Sequence, residues 1–354
     1  MSTAACATDL STRGAFAFHY EPQLSEEGLG WYSQFNLLVT HDPLPADQVA
    51  RLHSQGTRVL MYEWAVAFYE SRATPWQRWL LKKHSEELLN ATALTGFAGS
   101  DVAPAWYFDP ASPEHERERA SELVHRIHAA GYDGVFLDTT TVLSVHPEAR
   151  AVYEARHPDV PYDVAYSRFL VELRKKMPDI VIFTNQGYRN AENYLPYVDY
   201  DLTESLITRP QDGSFKLRPW NDPADPWNSA FFLMRTVIEP LSKQYPAVHF
   251  SHLNYIDAAD RETIRVAFAL ARIFDSDAYT GAPHVSDEID PIYFSDFGPP
   301  VAPRVDLEDG SVTYREFERG TIAISTATHE VNAGSITIPA TAGVPRAFFF
   351  NVNR

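Results

Sequence analysis

Eight short apolar runs are spaced along residues 15–285, and helix-length segments with amphipathic spacing lie between most of them. This alternation constrains the fold more than any other feature of the chain. A strand–helix–strand repeat builds a parallel sheet, because each helical crossover returns the chain to the same end of the sheet. The runs cover residues 15–20, 35–40, 58–62, 131–138, 180–184, 200–203, 248–253 and 278–280. Helical spacing is clearest at 113–130, where Ala120, Leu123, Val124, Ile127 and Ala130 share one face. Further helices are expected at 48–54, 76–89, 161–177, 190–197, 228–245 and 260–273. Eight such units fit a (β/α)8 TIM barrel at its usual length. An open doubly wound sheet is the rival. The barrel is preferred because several strands end in polar or aromatic residues, whereas an open sheet concentrates its site at one switch point.

The pattern changes after Pro299, Pro300 and Pro303. Short strands at 313–317, 321–325, 335–339 and 346–351 are punctuated by Gly310, Gly320, Gly334 and Gly343. The expected organisation is therefore a flexible N-terminus (1–14), a catalytic barrel (15–298) and a small C-terminal antiparallel β-domain (299–354).

Charge and motifs narrow the function. The formal net charge of −17 disfavours a nucleic-acid partner and permits a cationic substrate. The one cysteine, Cys6, allows no internal disulfide and no cysteine-rich zinc site. No apolar run reaches the roughly 18 residues of a membrane span, and residues 1–14 lack a signal-peptide core. There is no phosphate loop, dinucleotide fingerprint or Gly-x-Ser-x-Gly elbow, so no cofactor is expected. His125 and His128 read as a surface pair. His41-Asp42 and the His249/His252 pair have no partners that would make a metal site.

Carboxylates and aromatics at strand ends are what remain. Gly131 and Gly134 mark the entry to the fourth strand. Val135, Phe136 and Leu137 form its buried run, and Asp138 closes it at the end where α/β folds place chemistry. Glu63, Asp109 and Glu204 are the other carboxylates of this kind, accompanied by His19, Tyr20, Asn185, Tyr188, Asn254 and Tyr255. Glycoside hydrolysis needs two carboxyl groups about one bond, one ionised and one protonated, with aromatic faces for the sugar. Asp138 and Glu204, two strands apart and aimed across one mouth, are the best pair. Asp109 precedes a proline and is as readily a helix cap.

The stretch Gly131-Tyr132-Asp133-Gly134-Val135-Phe136-Leu137-Asp138 resembles the strand-four motif of the endo-α-1,4-polygalactosaminidase family, and of related bacterial TIM-barrel glycosidases. Trp106-Tyr107-Phe108-Asp109-Pro110 lies upstream at the family's interval. Phe183-Thr184-Asn185-Gln186-Gly187-Tyr188 resembles its Asn-x-Gly strand-five end, and Asp201-Leu202-Thr203-Glu204-Ser205-Leu206 its Glu-Ser strand-six end. The match is good over residues 105–210. It departs after the third strand, where Glu63-Trp64-Ala65-Val66 replaces small polar residues. The resemblance implies Asp138 as nucleophile and Glu204 as general acid/base. The remaining strand-end residues (His19, Tyr20, Glu63, Asp109, Asn185, Tyr188, Asn254 and Tyr255) would be substrate contacts.

The expectation is a cofactor-free glycoside hydrolase that cleaves an α-linked, galactosamine-containing poly- or oligosaccharide. It is expected to act as a monomer and, as in that usually exported family, outside the cytoplasm. The alternatives are a non-catalytic carbohydrate-binding protein on a degenerate barrel and a metal-dependent polysaccharide deacetylase.

Overall fold

The computed structural model describes residues 14–83, 87–95, 104–257, 260–281 and 291–351. Nearly all of the N-terminal segment expected to be flexible, with Cys6, lies outside them. Eight parallel strands form one sheet in chain order: β1 (Gly14–His19), β2 (Phe35–Thr40), β3 (Arg58–Trp64), β4 (Gly134–Asp138), β5 (Val181–Asn185), β6 (Tyr200–Glu204), β7 (His249–Tyr255) and β8 (Asp277–Gly281). β8 returns beside β1, where the Tyr279 ring lies 6.2 Å from that of Phe16. The sheet thus curls into the expected barrel.

Its interior is aromatic. Phe18 meets Phe136 edge-on at 5.0 Å, Phe136 meets Phe183 at 5.1 Å, and Phe16 meets Phe183 at 5.7 Å. Rings at these separations add about 0.5–1.5 kcal/mol per pair to the burial of their area. They also fix which way each strand faces. Side chains alternate along a strand, so Phe16 and Phe18 point inward and Tyr20 follows them, while His19 points out. The same count sends Phe136 and Asp138, then Phe183 and Asn185, toward the axis. Gly134 is required where β4 meets β5, since a Cβ there would lie 2.1 Å from the carbonyl oxygen of Val181.

Helices coat the outside: α1 (Glu26–Tyr32), α2 (Ala46–Ser54), α3 (Pro75–Lys83), α4 (Pro113–Ala130), α5 (Pro147–Arg156) and α6 (Tyr162–Lys176). After β6 come α7 (Ala230–Leu233), a π-turn at Met234–Ile238 and α8 (Glu239–Gln244); α9 (Arg261–Ile273) precedes β8. Three local expectations change. The helix expected over 76–89 is seen to Lys83, and Leu88 instead bridges to Phe108. The proline-rich segment after β6, where no strand was expected, opens with a ribbon, Thr208–Gln211 paired with Ser214–Leu217. Its turn is Asp212-Gly213, with φ of 52° and 77°, the dipeptide such a hairpin favours. Helices α1 and α5 were not anticipated.

The C-terminal sheet runs β9 (Val305–Leu307), β10 (Val312–Phe317), β11 (Gly320–Ser325), β12 (Arg346–Asn351), all antiparallel. One face joins the barrel's core through Phe317, Ile322 and Ile324, and Phe349 packs on Phe268 of α9 at 6.3 Å. The other face builds a second small core around Val312, Ala323 and Ile338. None of the helices described is long and apolar enough to cross a membrane.

Candidate active site

Three adjacent strands, β4, β5 and β6, end in Asp138, Asn185 and Glu204, and the structure brings these side chains together. The Asn185 amide nitrogen donates to Asp138 Oδ1 at 2.7 Å and to Glu204 Oε2 at 2.8 Å. The two facing oxygens are therefore no farther apart than those bonds laid end to end, about 5.5 Å. The amide orientation follows from chemistry, since only the nitrogen can face two carboxyl groups as a donor. Asn185 Oδ1 is then a buried acceptor with no hydrogen-bond partner among the described residues.

The surroundings of the two carboxyl groups differ. Asp138 receives three donors: the Asn185 amide, the Thr139 backbone N–H at 2.7 Å and the Tyr62 hydroxyl at 2.5 Å. Burial and the charge of Asp138 push the Tyr62 hydroxyl well above its usual range, so it stays protonated and donates. Glu204 is half-buried. Its pKa is raised first by burial and then by the Asp138 charge, against the Asn185 and Tyr255 donors; the latter bond is 3.0 Å. Tyr20 meets the Tyr255 hydroxyl at 3.4 Å. Asp138 thus carries three donors, while burial and its neighbour favour Glu204 as the acid, and two-carboxylate chemistry needs one such acid.

The backbone that aims these groups is under strain. Thr139, Gln186 and Ser205, each directly after one of the three, have φ of 53°, 60° and 55°. A left-handed non-glycine residue costs on the order of 1 kcal/mol or more, most for β-branched threonine. The turn returns a backbone donor to the sheet: Gln186 N–H bonds Leu202 O and Ser205 N–H bonds Leu253 O, both at 2.7 Å. Asp201, buried behind them, accepts from Gly187 N–H at 2.7 Å, Tyr188 N–H at 2.8 Å and the Thr184 hydroxyl at 2.7 Å. Gly187 is needed there, because a Cβ would lie 2.7 Å from Asp201 Oδ1.

A cleft of about 730 Å³ opens beside Asp138. His41, Asp42, Tyr62, Trp64, Tyr69 and Arg72 contribute to its wall. The His41 ring stacks on Tyr62 at 3.9 Å, and Trp64 stacks on Tyr69 at 4.4 Å. Burial lowers the pKa of His41 to about 4, so its ring is neutral at physiological pH. Tyr69 belongs to a ribbon, Ala67–Tyr69 with Ala105–Tyr107, in the connection between β3 and β4.

Of the expected substrate contacts, Tyr20, Asn185 and Tyr255 join the carboxyl pair. Five do not. His19 points into the helical layer, with its ring 5.3 Å from that of Tyr32. Glu63 is ion-paired at 2.6 Å to Arg126 of α4, away from the pair, and with it lines another part of the cleft. Asp109 is buried against His157 at 3.0 Å and Arg156 at 3.3 Å, and caps Ala111 N–H at 3.1 Å. Asn254 is buried behind the sheet, accepting from Ile207 N–H at 2.7 Å and bonding His252 Nδ1 at 3.0 Å. Tyr188 is buried beside Arg189 and Trp227 instead of at the pair. Tyr62, Trp64, Tyr69 and the ring of His41 went unrecognised. Tyr62 and Trp64 flank Glu63 with the opposite facing, so strand parity was the signal that could have found them. Among the described residues no three histidine, cysteine, aspartate or glutamate side chains are grouped to hold a metal.

No protein-family model and no curated protein matches the chain. Solved structures do. The chain is similar to the glycoside hydrolase domain of PelA from Pseudomonas aeruginosa, at 17% identity and TM-score 0.54, covering 76% of this chain and 94% of that one. It is similar to Amy13B of Eubacterium rectale, at 10% identity and TM-score 0.56, covering 98% and 96%. It is also similar to the cyclic alpha-maltosyl-(1→6)-maltose hydrolase of Arthrobacter globiformis, at 11% identity and TM-score 0.55, covering 96% and 99%. The barrel described above is the fold on which those proteins are built.

Proposed function

We propose that the protein is a glycoside hydrolase cleaving an α-linked poly- or oligosaccharide, with a galactosamine-containing polymer as the first candidate. The observation that carries this reading is the single Asn185 amide joining two carboxyl groups, of which burial and the neighbouring charge favour Glu204 as the acid. The fold shared with PelA's glycoside hydrolase domain and a cleft of oligosaccharide size with stacked aromatic walls support it.

The spacing favours retention of configuration, for which carboxyl groups lie about 5–5.5 Å apart. Asp138 Oδ2 has one protein donor where Oδ1 has two, so it keeps a lone pair for attack at the anomeric carbon. The C–O bond to the leaving sugar breaks while Glu204 gives its proton to the departing oxygen. Water, deprotonated by the Glu204 carboxylate, then attacks the same carbon from the opposite face, and Asp138 leaves as the free carboxylate. Asn185 Oδ1 is available to a sugar hydroxyl or ammonium. Polymers of this class are met outside the cytoplasm, and the enzyme is assigned there on that ground.

The test is reducing-end release from α-1,4-galactosaminogalactan, its deacetylated form, chitosan and neutral α-galactans, comparing wild type with Asp138→Asn and Glu204→Gln. Cleavage of one glycan that both variants lose by at least about 10²-fold supports the reading. Proton NMR of the first product, showing the α-anomer before mutarotation, supports retention. Glycan binding without cleavage, unchanged in both variants, would replace it with a non-catalytic binding protein.

A further inference from the structure

The rim beyond Glu204 carries a group of cations that the reaction above does not use. The ribbon after β6 pairs Arg209 with Lys216, and Arg218 N–H extends the same ladder to Ile207 O at 2.7 Å. Side chains alternate along a ribbon, so Arg209, Lys216 and Arg218 share one face. The opposite face carries Phe215, whose ring lies 5.8 Å from that of Tyr255, the residue whose hydroxyl holds Glu204. The loop after β5 adds Arg189, whose guanidinium sits 4.8 Å from the centre of the Trp227 ring. Trp227 is 47% exposed and lies nearly parallel to Tyr188.

None of the four cations forms an ion pair with a carboxylate among the described residues, in a chain with a net charge of −17. Nearby carboxylates are engaged elsewhere. Asp225 accepts from the Asn228 amide at 2.8 Å, Asp222 from Ala224 N–H at 2.9 Å, and Asp257 faces Phe215 N–H at 3.4 Å. Arg218 donates to Asn228 Oδ1 at 2.7 Å, which fixes the direction of its fork. Burial, first, and the neighbouring Arg209 lower its pKa, against the opposing effects of Tyr188 and Asp225.

Half-buried arginines without a directly ion-paired carboxylate, beside an exposed indole, form a site for a planar anion attached to a ring that can stack. We propose that this platform is a subsite for a sugar bearing an anionic group, a carboxylate or a sulfate ester, on a glycan that extends over the rim from Asp138 and Glu204. The inference rests on the glycan-cleft reading and adds that the substrate is acidic at this position, whatever the amino content of its neighbours.

Binding decides it independently of hydrolysis. The full chain carrying Asp138→Asn is titrated calorimetrically with α-1,4-linked trigalacturonate, its fully methyl-esterified form, a sulfated galactose trimer and a galactosamine trimer. The acid is expected to bind at least about tenfold tighter than its neutral ester at low salt, and to lose most of that preference at high salt. Arg209→Gln with Lys216→Gln, two side chains without hydrogen bonds to the fold, is expected to abolish the preference. Trp227→Ala is expected to weaken acid and ester alike. The sulfated trimer shows which anion is favoured. Equal affinity for acid and ester, tightest binding to the galactosamine trimer, or an acid preference unchanged in the double variant overturns the proposal. Tight acid binding by a protein that cleaves no glycan would instead leave this site standing and overturn the hydrolase reading.

Discussion

Tyr62→Phe removes one oxygen and leaves the ring, packed between His41 and Phe136, in place. What is lost is the 2.5 Å donor to Asp138 Oδ2. A hydrogen bond to a charged group contributes about 1.5–3 kcal/mol. The two steps of a retaining reaction feel its loss differently. In the first, the carboxylate surrenders charge to the new bond, so the donor stabilises the ground state more than the transition state. In the second, the ester becomes a carboxylate again, and the donor is worth most as that charge develops. At about 1.4 kcal/mol per tenfold, the variant's deglycosylation should slow between about 10- and 150-fold, with glycosylation unchanged or faster. The assay is stopped-flow release from an activated aryl α-glycoside. We expect a burst of about one aryl group per enzyme, and kcat and KM falling together so that kcat/KM holds. A kcat/KM that falls in step with kcat, with no burst, would refute the reasoning. Asp138 retains two donors, so the melting temperature should change little.

In protein labelled at its glutamate carboxyl carbons, the Glu204 resonance should titrate above the ordinary glutamate range, and Asp138→Asn should move that titration to lower pH by removing a like charge. Burial holds Asp201 at about 7 in the folded chain against 3.8 unfolded, so the native state binds the extra proton. Its contribution to stability is present at low pH and is lost as pH rises through that window; thermal melts from pH 4 to 8 should decline less in Asp201→Asn than in wild type. Ser205→Val, which puts a β-branched side chain at a φ of 55°, should destabilise by about 1–3 kcal/mol in urea melts, whereas Ser205→Gly should stay within about 1 kcal/mol of wild type.

All eight barrel strands were legible because their apolar runs are short, bounded and separated by helix-length segments. The carboxyl pair was legible because both members close such runs. Which neighbour of a strand end faces the axis was not. Strands buried on both faces, as in the fully buried run before Asp138, carry no hydrophobic alternation, so residues one apart look equivalent. His19 was expected at the site along with Tyr20, and Glu63 without Tyr62, because one step along the strand separates the outward from the inward side chain. Asp109 and Asn254 show the further difficulty that a polar side chain at a strand end is also what a cap or a buried network uses. The hairpin at Asp212-Gly213 had a signal, but Pro210 and the surrounding prolines obscured it. Pro210 is tolerated because the ribbon pairs on one side only.

The left-handed residues behind Asp138, Asn185 and Glu204 bear on how such a mouth can diversify. Each turns the chain sharply away immediately after one of these side chains, and two of them tie the departing backbone to the next strand before the loop begins. Loop length beyond that tie is mechanically separated from the chemistry. Segments after β4, β5 and β6 can be lengthened, shortened or exchanged, remodelling the walls of the cleft while the distance between the two carboxyl groups stays as it is.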